Sequence, residues 1–254
     1  MIKKTSLSDL IRRVRSLKSL RPNREVNKVF SELVDYALKS SDKVNIDKRE
    51  LEFIQKSAAQ AEYELEKFWV QKIIDNGAQI EDFIYYNNYL KLTKIEWNSL
   101  LSCKEHKNHN VLFVGSGPLP LTGLILARDY GCCVTLMDIS EEAVTLSKKL
   151  TLKLGLKNHI EVVNSDALSF DKYIKFDVIY LAALAGISDG LKKRILTKIR
   201  DDSKENVHLV ARSSFGNREI LYKPLKDADI TGFKVDLEVK PYNDVVNSFL
   251  ILRK

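Results

Sequence analysis

The sequence predicts an α/β protein in which a helical bundle precedes a doubly wound sheet, and three observations carry that prediction. Apolar residues recur at spacings of three and four from Leu7 to about Ser102. After His109 the pattern changes to short β-rich runs alternating with helical segments. The first of those runs ends in a glycine turn.

In the first half Leu7, Leu10, Ile11 and Val14 repeat with the helical period, as do Val26, Phe30, Leu33, Val34 and Leu38. Gly77 and Pro22 are the only glycine and proline there, so strands and tight turns have little punctuation to use. A bundle of about five helices is expected over residues 1–106. In the second half, residues 107–254, the runs 111–114, 134–137, 160–163 and 178–181 stand in βαβ order. Later runs at 208–211, 233–237 and 245–252 complete an expected seven strands, the last two suited to an antiparallel hairpin at the sheet edge. The polar stretch 104–110 is the expected junction.

A chain of 254 residues with 44% hydrophobic and 30% charged residues is long and apolar enough for a packed core, which argues against disorder. The net charge of +7 suits nucleic acid or an anionic membrane surface, but also many Lys-rich enzymes, so it selects none of them. Lys3, Lys4, Arg12, Arg13, Arg15, Lys18, Arg21 and Arg24, opposed mainly by Asp9, read as a solvated helix face. Cys103, Cys132 and Cys133 show no CxxC spacing, and the adjacent pair is expected as small residues of a buried strand. No apolar run approaches the roughly 20 residues of a membrane span, and no signal-like block opens the chain, so a cytoplasmic protein is expected. His106, His109, His159 and His208 are scattered without metal-ligand spacing, and no metal is expected in the protein.

The run Val111-Leu112-Phe113-Val114-Gly115-Ser116-Gly117 ends a strand where the backbone must turn sharply and approach a ligand. Pro118 and Pro120 remove backbone donors from the loop, and Pro120 takes the place of a third glycine, which disfavours a dinucleotide. Asp138 follows the second strand about 20 residues later, where a carboxylate accepts ribose hydroxyls. Asp166 follows the third strand, where an adenine amino group is met. Together these offsets point to an adenosine ligand in a Rossmann-like sheet. Read alone, the glycines are a tight turn and the acids strand-end caps.

The loop Gly115-Ser116-Gly117-Pro118-Leu119-Pro120-Leu121-Thr122-Gly123 resembles that of the nicotianamine synthase family. The resemblance extends through residues 181–186, with Ala182 in the ligand wall, and through Arg212, Gly216, Arg218, Tyr222 and Pro224. It reaches back through Glu64-Leu65-Glu66-Lys67 and Tyr85-Tyr86-Asn87-Asn88-Tyr89-Leu90, and is weakest over the first 50 residues. It implies a Rossmann-like S-adenosylmethionine-dependent transferase sheet and transfer of the 3-amino-3-carboxypropyl arm of S-adenosylmethionine to an amine, with release of methylthioadenosine. It also implies donor contacts at Gly115, Ser116, Gly117, Pro118, Asp138, Asp166 and Ala182. The partners it implies are small molecules, without nucleic acid or membrane, in a chain that a homodimer would suit.

The acceptor amine is protonated near neutral pH, so a base is required. The resemblance assigns that role to Glu64 and a hydrogen-bonding role to Tyr89, with Tyr86 and Arg212 toward the acceptor. A carboxylate in a partly closed pocket has a raised pKa, and the planar fork of Arg212 suits an amino-acid carboxylate. Read without the resemblance, Glu62, Glu64 and Glu66 belong to a charged helix, the tyrosines are rim or core aromatics, and Arg212 is a surface ion pair. The short chain lacks plant-type extensions, which suggests a prokaryotic enzyme, while Asn87-Asn88 before Tyr89 leaves the acceptor open. Histidine is one alternative acceptor. An ordinary methyltransferase is a second reading, disfavoured by Phe113 two residues before Gly115 and by the lack of an Asn-Pro-Pro-Tyr-like site. A non-catalytic nucleoside sensor is a third.

Overall fold

The computed structural model describes residues 6–40, 44–103, 110–188 and 190–254. Four α-helices precede the sheet among these residues: α1 (Leu7–Ser16), α2 (Arg24–Lys39), α3 (Lys48–Asn76) and α4 (Tyr86–Cys103). Each of the first three begins at a side chain that accepts from the first turn. Asp9 N donates to Ser6, Glu25 N and Val26 N donate to Asn23, and Glu50 N donates to Asp47. Gly77, at φ 70°, ends α3 in the left-handed conformation. The fifth expected helix is only a 3₁₀ turn, Ile80–Asp82, because too few residues separate Gly77 from α4 for a hydrogen-bonded helix to propagate.

The sheet half runs β1 (Asn110–Val114), α5 (Leu121–Tyr130), β2 (Cys133–Asp138), α6 (Glu141–Lys153), β3 (Ile160–Asn164), β4 (Val178–Leu181), α7 (Leu191–Asp202), β5 (His208–Ser213), β6 (Lys234–Val239) and β7 (Ser248–Arg253). Its seven strands lie in the order β3-β2-β1-β4-β5-β7-β6. The first five are parallel and β7 is antiparallel to both neighbours, so the expected closing hairpin is present with β6 at the edge. Strand order reverses beside β1, where such sheets open a crevice at their carboxyl ends. Of the expected junction 104–110, Asn110 opens β1 and the rest lies outside the described residues.

Val111, Leu112, Phe113 and Val114 are all buried, as a central parallel strand covered on both faces requires. Val111 and Phe113 pack with α4 and α5, whereas Leu112 and Val114 pack with α7, Phe170 and Tyr173. A third core joins α1, α2 and α3 to Ile220 and Leu221, so the segment after β5 plugs the helical half onto the sheet. Cys132 is buried but Cys133 is exposed, because adjacent residues entering a strand point to opposite sides; the pair is therefore not jointly in the core. Among the described residues, no helix is long and apolar enough to cross a membrane.

Candidate active site

A cavity of about 880 Å³ opens at the carboxyl ends of β1, β2, β4 and β5 and is roofed by α3. Its floor is the glycine turn. Gly115, at φ 76°, and Ser116 both donate their amides to the Met137 carbonyl, at 2.8 and 3.1 Å. Gly117, at φ 67°, donates its amide to Asp138 Oδ2 at 2.8 Å, and Ser140 donates to Asp138 Oδ1 at 2.9 Å. The carboxylate of Asp138 is thus clamped by backbone while still facing the cavity. Asp166 stands at the exposed rim, and Ala182 lies in the wall with its amide donated to Val114 at 3.0 Å.

The expected residues Tyr89, Gly115, Ser116, Gly117, Asp138, Asp166, Ala182 and Arg212 therefore share one cavity. Pro118 does not join the lining; its carbonyl accepts from Ser147 Oγ at 3.3 Å beneath the turn. Tyr86 is likewise elsewhere, its hydroxyl accepting from Arg128 Nη2 at 2.7 Å.

Glu64 also faces away. At about 100° per residue, positions two apart on a helix diverge by more than half a circle, whereas positions four apart share a face. Glu64 accepts from Gln60 at 3.1 Å and lies 3.9 Å from Lys67, while Glu62 and Glu66 enter the cavity. Glu62 accepts from Tyr89 Oη at 3.1 Å and from Tyr222 Oη at 2.8 Å. Burial pushes the Glu62 carboxyl above the usual range, opposed by these two phenols and the nearby positive charge of Arg212. Burial and then the charge of Glu62 push Glu66 well above its ordinary value, against the Leu119 amide and a hydrogen bond from Tyr89.

Sequence reasoning missed these two acids, though a signal existed. Glu66 interrupts the buried stripe Ala58, Ala61, Trp69 and Ile73, and a carboxylate on an apolar face requires a reason. Glu62 is its partner one turn earlier.

Arg212 is not the free clamp that was expected. Its Nε and Nη2 donate to Glu96 at 2.8 and 2.9 Å, Nη2 also reaches Thr122 Oγ1 at 2.6 Å, and the guanidinium lies 5.3 Å from the Phe113 ring. Glu96 is wholly buried, so this edge of the fork is committed to neutralising it. Among the described residues, no group of three or more His, Cys, Asp or Glu is arranged to hold a metal ion.

The family described as "Nicotianamine synthase protein" matches residues 2–254. Nicotianamine synthase 2 of Arabidopsis thaliana is 30% identical over 263 residues, covering 98% of this chain and 82% of its own. The nicotianamine synthase of Solanum lycopersicum is 29% identical, covering 97% and 81%. The crystal structure of MtNAS in complex with MTA and tNA superposes with a TM-score of 0.84 at 26% identity, covering 97% of this chain and 96% of the other. A variant of MtNAS in complex with S-adenosylmethionine gives a TM-score of 0.83, also at 26% identity, covering 100% and 98%. With a match along nearly its whole length and a cavity at the switch point of the same sheet, the chain belongs to the nicotianamine synthase family and is an S-adenosylmethionine-dependent aminocarboxypropyltransferase.

Proposed function

We propose that the cavity holds S-adenosylmethionine across the glycine turn and that Glu62, rather than Glu64, is the base for the acceptor amine. The observation that carries this reading is the Glu62 carboxylate, set in the cavity wall and gripped by the phenols of Tyr89 and Tyr222. In this reading Asp138 accepts the ribose hydroxyls, while Asp166 and the wall at Ala182 meet the adenine. Burial raises the Glu62 carboxyl, and the two phenol donors with the charge of Arg212 oppose it by favouring the ionised form, which is the form that accepts a proton.

The step then balances simply. Glu62 takes a proton from the acceptor ammonium, and the freed amine attacks the arm carbon bonded to sulfur. A C–N bond forms, the C–S bond breaks, and its electron pair stays on sulfur, which leaves as the thioether of methylthioadenosine. No methyl group moves. Selectivity among the three carbons on the sulfonium is a matter of which one is held in line with the amine.

The acceptor reaches Glu62 from the far side. A second cavity of about 310 Å³, between α2, α3 and α4, shares Glu62, Tyr89, Tyr222 and Asn247 with the first. We divide the chain at residues 106 and 107, with the helical half acting as a roof that keeps water from the sulfonium. Free Cys103, Cys132 and Cys133 suit a reducing cytoplasm, and the cavity suits small molecules rather than nucleic acid.

Mass spectrometry of the purified protein with S-adenosylmethionine, alone and with histidine, tests this. Methylthioadenosine with an arm-bearing product is expected. Product without added amino acid means self-condensation, and product only with histidine means a single transfer to that amino acid. S-adenosylhomocysteine in place of methylthioadenosine would overturn the reading.

A further inference from the structure

Glu66 is a buried acid that proton transfer does not use, and its surroundings are those of a binding group. Its Oε2 lies 3.5 Å from the Leu119 amide, at the outer limit of a hydrogen bond, and Tyr89 is its other hydrogen-bonding neighbour, so a carboxylate there keeps accepting capacity to spare. The same oxygen stands 2.7 Å from where a β-carbon on Gly117 would lie, so glycine, which the φ of 67° also favours, leaves it room against the turn. Ser116 also lines the cavity, and its buried Oγ has no hydrogen-bond partner.

Gly117 thus separates two carboxylates: Asp138 on its amide, and Glu66 against its α-carbon. An adenosine whose ribose is held by Asp138 carries its sulfonium a single carbon beyond the ring. An arm that extends from that sulfur past residue 117 would meet Glu66. An aminocarboxypropyl arm ends in one ammonium and one carboxylate, which an anionic acceptor beside a free hydroxyl donor complements.

We infer that Glu66 and Ser116 form the subsite for the amino-acid end of the donor arm, Glu66 binding its α-ammonium and Ser116 donating to its α-carboxylate. The inference rests on the placement of S-adenosylmethionine proposed above. It divides the two acids of α3 by substrate: Glu66 for the donor, Glu62 for the acceptor. An entering ammonium also supplies a positive counter-charge to an acid that burial and the charge of Glu62 hold well above its ordinary value.

Methylthioadenosine is the same nucleoside without the arm, which makes it the control. Affinities of wild type, Glu66→Gln, Ser116→Ala and Glu62→Gln for S-adenosylmethionine and for methylthioadenosine would be measured by titration calorimetry. Glu66→Gln should weaken S-adenosylmethionine by about tenfold or more, the size of one charge-assisted hydrogen bond, and leave methylthioadenosine within about threefold. Ser116→Ala should shift the same ratio in the same direction, and reads the same arm should Glu66→Gln not fold. Glu62→Gln should leave both ligands bound. Equal losses for both ligands in Glu66→Gln and Ser116→Ala, or undiminished S-adenosylmethionine binding, would overturn the subsite. A wild type that binds neither ligand would overturn the placement of the nucleoside itself.

Discussion

Tyr222 donates a 2.8 Å hydrogen bond to Glu62 across 160 positions of sequence, tying the segment after β5 to the middle of α3. This bond joins the sheet half to the helical half at a carboxylate that also accepts from Tyr89. A residue so held is fixed in orientation before any substrate arrives.

Glu62→Gln keeps the shape but has one oxygen where two accept from the phenols, and it accepts no proton. Methylthioadenosine release should fall by about 100-fold or more, within the range of general-base losses, with nucleoside affinity retained. Glu64→Gln should stay close to wild type, since that side chain pairs with Gln60 and Lys67 and does not line the cavity. Initial rates of the two variants side by side decide between the acids.

The acid limb of kcat/KM should lie above the ordinary carboxylate value of 4.5, because burial raises Glu62. Tyr222→Phe removes a hydrogen bond that favours the ionised form, so its limb should move to higher pH. A pH-rate profile in which the limb stays or moves down would remove Glu62 from the base position.

Stability has its own pH signature. Glu66 is raised in the folded chain, so its contribution is fully present below the unfolded value near 4.5 and is lost as pH rises through the folded value. Glu66→Gln cannot ionise. Its melting temperature relative to wild type should therefore climb as pH increases above 4.5, which thermal melts across a buffer series would follow.

The Glu96–Arg212 pair predicts a stability loss rather than a binding loss. Glu96→Ala strands a buried guanidinium and should cost about 3–5 kcal/mol in denaturant melts. Replacing both partners with methionine should cost less than removing Glu96 alone, because no uncompensated charge remains.

Two glycines fail for different reasons. On Gly123 a β-carbon would fall 2.4 Å from Leu136 Cδ2, between α5 and β2, so Gly123→Ala should cost about 1–3 kcal/mol by overpacking. On Gly131 a β-carbon meets nothing, but φ is 67°, so Gly131→Ala should cost only the left-handed penalty of about 1–2 kcal/mol. Chemical denaturation of both variants separates crowding from backbone strain.

Periodicity and local chemistry determined the architecture. The helical repeat of Leu7 to Val14, the β-rich run at 111–114 and the glycines at 115 and 117 each act over a few residues, and the folded chain keeps them. The glycine-turn side of the cavity was legible for the same reason: Gly117 and Asp138 are set by strand-end position, which the βαβ order fixes. Which glutamate of α3 faces that cavity was not legible, because a helix's rotation depends on what packs against it. Ile220, Leu221 and Tyr222, some 160 residues downstream, help set that rotation and turn Glu62 and Glu66 inward and Glu64 out. The fate of Arg212 was decided in the same way, by Glu96 arriving from α4 at a strand end that by itself presents a free cation. Short-range pattern chose the elements, and long-range packing chose which of their side chains meet.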